Sequence, residues 1–280
     1  MRLCVAYSES PYIREATRDD EPRILKLVEH TWSWGDYIPS VLDKWLSNDK
    51  SKVFVCTKGD ELLGMVHLSI EEGGLGWLEG ARVAQDHRNK GIATMLANHT
   101  VEYASKIGLS KLRLAVAVDN KPSIRHVEKV GFRAFKTFKR VSSHTSMKTH
   151  TVSTRRLEEN EVSSVLTSKF YDSYGGLYYK SFRWLDLSGE TLTRLSLTGR
   201  AFWINKTLLV HSSEYYEDNM KVAEIGYTQF DEKFDSSEIV SLFALRLFSK
   251  VDFILPDKVE LATEGFNEEG QRFIVFERAL

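Results

Sequence analysis

The residues best able to do chemistry lie together in Val83-Ala-Gln-Asp-His-Arg88-Asn-Lys-Gly91-Ile-Ala93-Thr94. Gly91 permits dihedrals that other residues avoid and lets a ligand come close to the backbone. A helix opening at Ile92 leaves its first N–H groups without internal acceptors, and its dipole adds partial positive charge there. Arg88 and Lys90 contribute full charges, and an arginine can grip a phosphate through two hydrogen bonds. Arg88, Asn89, Lys90, Gly91, Ile92, Ala93 and Thr94 therefore predict an anion site suited to a pyrophosphate. Neither Gly-x-x-x-x-Gly-Lys-Ser/Thr nor Gly-x-Gly-x-x-Gly occurs, which excludes the two commonest phosphate loops. The histidines, at 30, 67, 87, 99, 126, 144, 150 and 211, make no His-Glu-x-x-His pair, so no metal site is read.

Such a site needs a strand ending near Val83 and a helix starting near Ile92. Residues 52–57 and 62–70 read as strands joined at Gly59, Gly73 and Gly74 mark the next turn, and 77–84 reads as a third meander strand. From Gly91 to about residue 107, Ile92, Met95, Leu96, Val101 and Ala104 recur at helical spacing, and Gly108 closes the helix. Upstream, residues 12–16 read as a strand, and Asp19 or Asp20 caps a helix with Glu21 and Pro22 in its first turn. Residues 32–46 read as a loop and a second helix. Downstream come a buried apolar strand over 111–118, a short helix after Pro122, and a strand over 134–141. This order predicts an α+β domain.

The polar stretch at 142–151 reads as a boundary, giving domains 1–143 and 144–280. The second half repeats the order. Strand 151–156, helix 158–167, aromatic stretch 177–184 (matched to 32–45), strands 201–204, 208–211 and 222–227, helix 236–248, strand 251–255 and strand 272–277 follow in sequence.

Composition narrows the function classes. A chain of 280 residues that is 42% hydrophobic is too apolar to be largely disordered. A net charge of −1 excludes a global basic field for nucleic acid. Cys4 and Cys56 are too few for a disulfide framework and favour a reducing compartment. No apolar run approaches roughly 18 residues, so no membrane span is expected and the cytoplasm is the expected location.

The element order, the Val83…Arg88-x-x-Gly91-x-Ala93 junction, and Asn120-Lys-Pro-Ser123…Glu128-Lys-Val-Gly131-Phe132 together resemble the GNAT superfamily of N-acetyltransferases over residues 11–141. The resemblance implies a mixed sheet flanked by helices, acetyl-CoA as co-substrate, an amine acceptor, and direct transfer in a ternary complex. It implies that backbone around Arg82 and Val83 pairs with the pantetheine arm and that Arg88 to Thr94 cradle the pyrophosphate. Asn120 and Ser123 would lie beside the pantetheine and the acetyl end. A non-catalytic acyl-CoA-binding module and a protein lysine or N-terminal acetyltransferase remain as alternatives, and a homodimer stays open.

Amine acetylation needs a neutral amine, a polarised thioester carbonyl and a proton for the thiolate. Strand alternation would put Trp77, Glu79, Ala81 and Val83 on one face, and Glu79 is the candidate base. Many family members carry Tyr four residues before the Gly-Phe pair as general acid. Here that position is Val127, so His126 or water would take the role. The acceptor pocket, by the resemblance, comes from the first helices, where Trp32, Trp34, Asp36 and Tyr37 suit a small cationic or amino-acid-like amine. Trp34-Gly-Asp-Tyr-Ile-Pro39…Trp45-Leu46 and Leu78-Glu-Gly-Ala-Arg-Val-Ala84 are similar to animal histidine N-acetyltransferase-like proteins, making a free amino acid one option. In the second half the matching junction, 227–237, has no glycine and carries Asp231, Glu232 and Asp235, which would repel a pyrophosphate. A degenerate GNAT-like domain without CoA is expected there.

Overall fold

The computed structural model describes residues 10–31, 35–146, 151–230, 236–259 and 267–280. Cys4, Trp32, Trp34, Asp231, Glu232 and Asp235 lie outside the described residues. The chain folds as two compact units, one of residues 1–114, 122–133 and 276–280, the other of 115–121 and 134–275. This division differs from a cut at 143/144. The strand after residue 133 belongs to the second unit, and the last five residues return to the first.

The first unit holds β1 (Tyr12–Glu15), α1 (Glu21–Val28), α2 (Ile38–Ser47), β2 (Ser51–Lys58), β3 (Glu61–Ile70), β4 (Leu75–Val83) and α3 (Ile92–Lys106). The start of β5 (Lys111–Ala117) and most of α4 (Lys121–Lys129) complete it. Its strands run in the order β1-β2-β3-β4-β5, antiparallel through β4 and parallel between β4 and β5. Successive strand side chains point to opposite faces. Val53 and Val55 accordingly pack with Ile24, Val28, Ile38, Leu42 and Trp45 of α1 and α2. Phe54, between them, meets His99 and Tyr103 of α3, with ring centroids 4.8 and 5.0 Å away. The sheet is thus sandwiched between α1/α2 and α3.

Pro22 stands in the first turn of α1, where its missing N–H costs nothing. Asp20 precedes that helix but makes no side-chain cap. Its buried carboxylate instead accepts from Arg14 (2.6 and 2.8 Å), Arg23 (2.5 Å) and the Thr17 N–H (2.9 Å). Two guanidinium groups outcompete one helix amide for the same oxygens.

The second unit contains most of β6 (Arg133–His144), then β7 (Thr154–Arg156), α5 (Glu159–Leu166), α6 (Lys169–Tyr174), β8 (Leu177–Lys180), β9 (Arg183–Asp186) and α7 (Gly189–Leu197). It continues with β10 (Ala201–Ile204), β11 (Thr207–Glu217), β12 (Met220–Gln229), α8 (Ser236–Leu245), β13 (Lys250–Pro256) and β14 (Asn267–Ala279) up to residue 275. Strand order is β14-β6-β13-β12-β11-β10-β7. The antiparallel meander β10-β11-β12 followed by parallel β13 repeats the connectivity of β2-β3-β4 and β5. Residues 177–184, matched by sequence to a loop and helix, form the separate β8–β9 hairpin instead. Among the described residues, no helix is long and apolar enough to cross a membrane.

Candidate active site

The loop from β4 to α3 folds as the glycine requires. Gly91 is the residue before the helix, with φ 82° in the left-handed region, and no side chain caps the helix end. A Cβ at Gly91 would meet no atom within 4 Å, so the space before the helix is open. The Met95 N–H bonds the Gly91 carbonyl at 3.0 Å, which begins the helical ladder. The N–H groups of Ile92, Ala93 and Thr94 therefore have no acceptor inside the helix. Asn89 also takes a positive φ of 61°. Arg88 and Lys90 are exposed, and Arg88 Nε lies 3.4 Å from the Val83 carbonyl at the strand end. Gly64 on β3 sets how close helix and strand come. A Cβ there would stand 2.7 Å from the Arg82 carbonyl and 3.1 Å from Ile92. Uncapped amides, open space and two cations fit the diphosphate of a CoA thioester.

β4 is paired to β5 only along its first part, Leu75–Trp77 against Lys111–Arg113. Further on, a bulge interrupts β4. The register passes from Met65↔Arg82 to His67↔Glu79, so β4 has one residue more than β3 between these pairs. Gly80 supplies the bulge with φ 67°, and a Cβ there would fall 2.9 Å from the Trp45 ring. The bulge corrects the alternation read from sequence. Met65 and His67 share a face, so Arg82 shares the face of Glu79, while Ala81 and Val83 do not follow it.

That face gathers Tyr37, Asp36 and Glu79, the residues expected to meet an acceptor, with Arg82. The Glu79 side chain is 15% exposed, and its Oε1 lies 3.1 Å from Nδ1 of buried His67. His67 Nε2 lies 2.5 Å from Ser51 Oγ. Trp45 stacks on the His67 ring, with centroids 3.9 Å apart and planes 8° from parallel, and meets Tyr37 edge-on at 6.1 Å. Burial and the Glu79 charge push the Tyr37 phenol well above its usual range, against the charge of Arg82 and the Gly80 N–H. Asp36 is not aimed at an open cleft. Its buried carboxylate takes two hydrogen bonds from Arg82 (2.8 and 3.1 Å) and one from the Ile38 N–H (3.0 Å). Burial alone would raise its pKa, but Arg82 and the Ile38 N–H together bring it below the ordinary value. The Arg82 guanidinium also lies over the Tyr37 ring at 5.6 Å.

On α4, Val127 is buried, and Ser123 and His126 are half-buried one turn apart. Burial, then Lys129, lowers the His126 pKa. His126 is therefore neutral at neutral pH. Asn120 falls in the second unit and Ser123 in the first. The structure thus brings Asp36, Tyr37, Glu79 and Arg82 together and places Arg88 to Thr94 at the next turn. Sequence reasoning missed His67, Ser51 and Trp45. The signal was the meander itself, which sets His67 directly opposite Glu79.

The equivalent place in the second unit is filled. β12 pairs with β13 over Val222–Ile225 and then runs on to Gln229. Tyr174 sits between the two strands, fully buried. Its hydroxyl accepts from the Thr228 N–H and donates to the Ile254 carbonyl, both at 3.2 Å.

With this geometry in place, comparison with known proteins gives the following. Residues 13–132 match the acetyltransferase (GNAT) family, in agreement with the resemblance read over 11–141. An uncharacterized N-acetyltransferase of Methanocaldococcus jannaschii is 29% identical over 134 residues, covering 43% of this chain. The chain spans 59% of the length of that relative. Among solved structures, a Thermoplasma acidophilum protein classed as an acetyltransferase aligns over 96% of this chain and 100% of its own, with TM-score 0.63 at 13% identity. A GCN5-related N-acetyltransferase of Sphaerobacter thermophilus aligns over 96% and 95%, with TM-score 0.59 at 10% identity. At these identities the likeness is one of fold, and it extends through both halves of the chain.

Proposed function

We propose that this chain, whose residues 13–132 are a domain of the acetyltransferase (GNAT) family, moves the acetyl group of acetyl-CoA to a primary amine of a small molecule or amino acid. The observation that carries the reading is the uncapped, open N-terminus of α3, reached directly from the strand that bears Glu79. The amides of Ile92, Ala93 and Thr94, with Arg88 and Lys90, hold the diphosphate. Arg82 and Val83 present backbone to the pantetheine arm, and Ser123 is proposed beside its far end.

Glu79 takes a proton from the acceptor ammonium, directly or through one water, which frees the nitrogen lone pair. The nitrogen then attacks the thioester carbonyl. The C–N bond forms, the C–S bond breaks, the nitrogen sheds its second proton to solvent, and the CoA thiolate takes up one proton. A neutral His126 is a weak donor, so water supplies that proton. The Val83 N–H is the candidate oxyanion donor, a role typically worth roughly 2.7–4 kcal/mol. Holding both substrates in line supplies more, about 7–11 kcal/mol.

Arg82 neutralises Asp36, which leaves Glu79 and the exposed face of Tyr37 to meet a cationic amine. Trp34 is proposed for the same pocket. The second unit, with Tyr174 between its strands, is proposed as a degenerate copy that does not bind CoA. The test is release of CoA thiol from acetyl-CoA with free amino acids, polyamines and peptides as acceptors. Release with a free amino acid or polyamine supports the reading. Release with peptides alone makes it a protein acetyltransferase, and no release makes it a binding module.

A further inference from the structure

We propose that Ser51, His67 and Glu79 form a hydrogen-bonded chain with Glu79 as its working end and His67 and Ser51 as positioning residues. The proposal rests on the reading of Glu79 as the base. Three adjacent strands supply the chain from one face of the sheet. His67 stands opposite Glu79 on β4 and opposite Val53 on β2, with Ser51 two residues along from Val53. Glu79 Oε1 is 3.1 Å from Nδ1, and Ser51 Oγ is 2.5 Å from Nε2.

An ionised carboxylate only accepts hydrogen bonds, so Nδ1 carries the ring hydrogen. In the neutral ring Nε2 is then an acceptor and takes the Ser51 hydroxyl hydrogen. Ser51 thereby fixes the tautomer, Trp45 stacked at 3.9 Å fixes the ring plane, and the ring fixes the carboxylate. Among the described residues, Tyr37 at the head of α2 feels the charges of Glu79, Asp36 and Arg82, and Arg82 on β4 is hydrogen-bonded to Asp36 and lies over the Tyr37 ring. The Nδ1–H, donating to Oε1, favours the ionised carboxylate.

The connectivity is that of a Ser–His–acid triad, but access is reversed. Ser51 is 7% exposed and His67 1%. The carboxylate is the most exposed member, at 15%. A buried serine under a stacked ring cannot reach a thioester. The carboxylate, on the strand that leads to the diphosphate site, can reach an amine.

Two measurements test this. Nitrogen NMR of native protein needs no acceptor: the proposal expects His67 protonated at Nδ1 and bare at Nε2. A ring protonated at Nε2 alone would overturn it. The second is CoA release from acetyl-CoA, using the fastest acceptor among free amino acids, polyamines and peptides, across pH. Glu79→Gln, His67→Leu, His67→Asn and Ser51→Ala are compared. Without the Nδ1–H, the ionised carboxylate is less favoured. In His67→Leu the acid limb of kcat/KM should then move up by about one pH unit. The KM for acetyl-CoA should stay within about twofold. His67→Asn, whose amide can donate from near the Nδ1 position, should restore most of the native profile. Ser51→Ala should shift the limb the same way by less, and serves if His67→Leu does not fold. Native profiles in His67→Leu and Ser51→Ala alongside a collapsed Glu79→Gln would overturn the chain alone. Native turnover in Glu79→Gln would overturn the base assignment and the chain with it.

Discussion

Replacing Gly91 with glutamate separates a folding cost from a binding cost. Gly91 holds φ 82°. A residue with a Cβ is disfavoured in that region by roughly 1–2 kcal/mol. No atom lies within 4 Å of where that Cβ would stand, so packing adds nothing. Unfolding in urea should show a loss of that size and no more. CoA affinity should fall further. At a separation of about 6 Å, two like charges repel by roughly 0.7 kcal/mol in water and about 3 kcal/mol at an effective dielectric of 20. The diphosphate link brings two charges, so the loss is roughly 1.4–6 kcal/mol, at least about tenfold in Kd. Gly91→Ala carries the backbone cost without the charge, and the difference between the two variants isolates the electrostatic part. Titration calorimetry with CoA reads it out. A folded Gly91→Glu protein that binds CoA within about twofold of native would refute the placement of the diphosphate.

Other consequences follow from the same geometry. Asp36→Asn takes a buried charge from Arg82 and should cost about 1.5–3 kcal/mol in urea unfolding; an unchanged midpoint would mean that the pair does not hold the head of α2. His126→Gln should leave turnover within about twofold, and a loss in the 10²–10⁴-fold range of a general acid would move the thiolate proton onto His126. In the second unit, burial, then Arg200, holds His211 down at about 4 from an ordinary 6.5. Between those values the unfolded chain binds the proton and the folded one does not, so stability falls as pH drops through this window. The effect amounts to roughly 3 kcal/mol. Urea midpoints of native protein should decline from pH 6.5 to 4, whereas those of His211→Gln should lose that component; parallel curves would contradict it.

The uncapped start of α3, proposed for the diphosphate, is legible in the sequence because it is local. Arg88 to Thr94 occupy one turn, and a glycine before an apolar-periodic helix says where the amides start. The meander was legible for the same reason, since strands joined by short glycine turns pair with their neighbours. The surroundings of Glu79, the proposed base, are only half legible. Alternation puts Glu79 on a strand face, but it ignores the bulge at Gly80, which swaps Arg82 onto that face and packs close to Trp45, on α2. His67 lies in a run of apolar residues and reads as core until the register sets it opposite Glu79. Asp36 looked like a ligand for an amine because its partner, Arg82, is distant in sequence and was assigned a backbone role. In the second half, residues 177–184 were matched by aromatic content to a helical stretch, yet aromatic residues suit strands equally well, and a hairpin forms.

Acetyl transfer by this chain requires the diphosphate of CoA to lie at the start of α3. A crystal structure of the full chain at saturating CoA measures that directly. The expected result is one CoA per chain, its diphosphate on the N–H groups of Ile92, Ala93 and Thr94, with Tyr174 still between β12 and β13. A diphosphate bound elsewhere, or a second CoA displacing Tyr174, would contradict it.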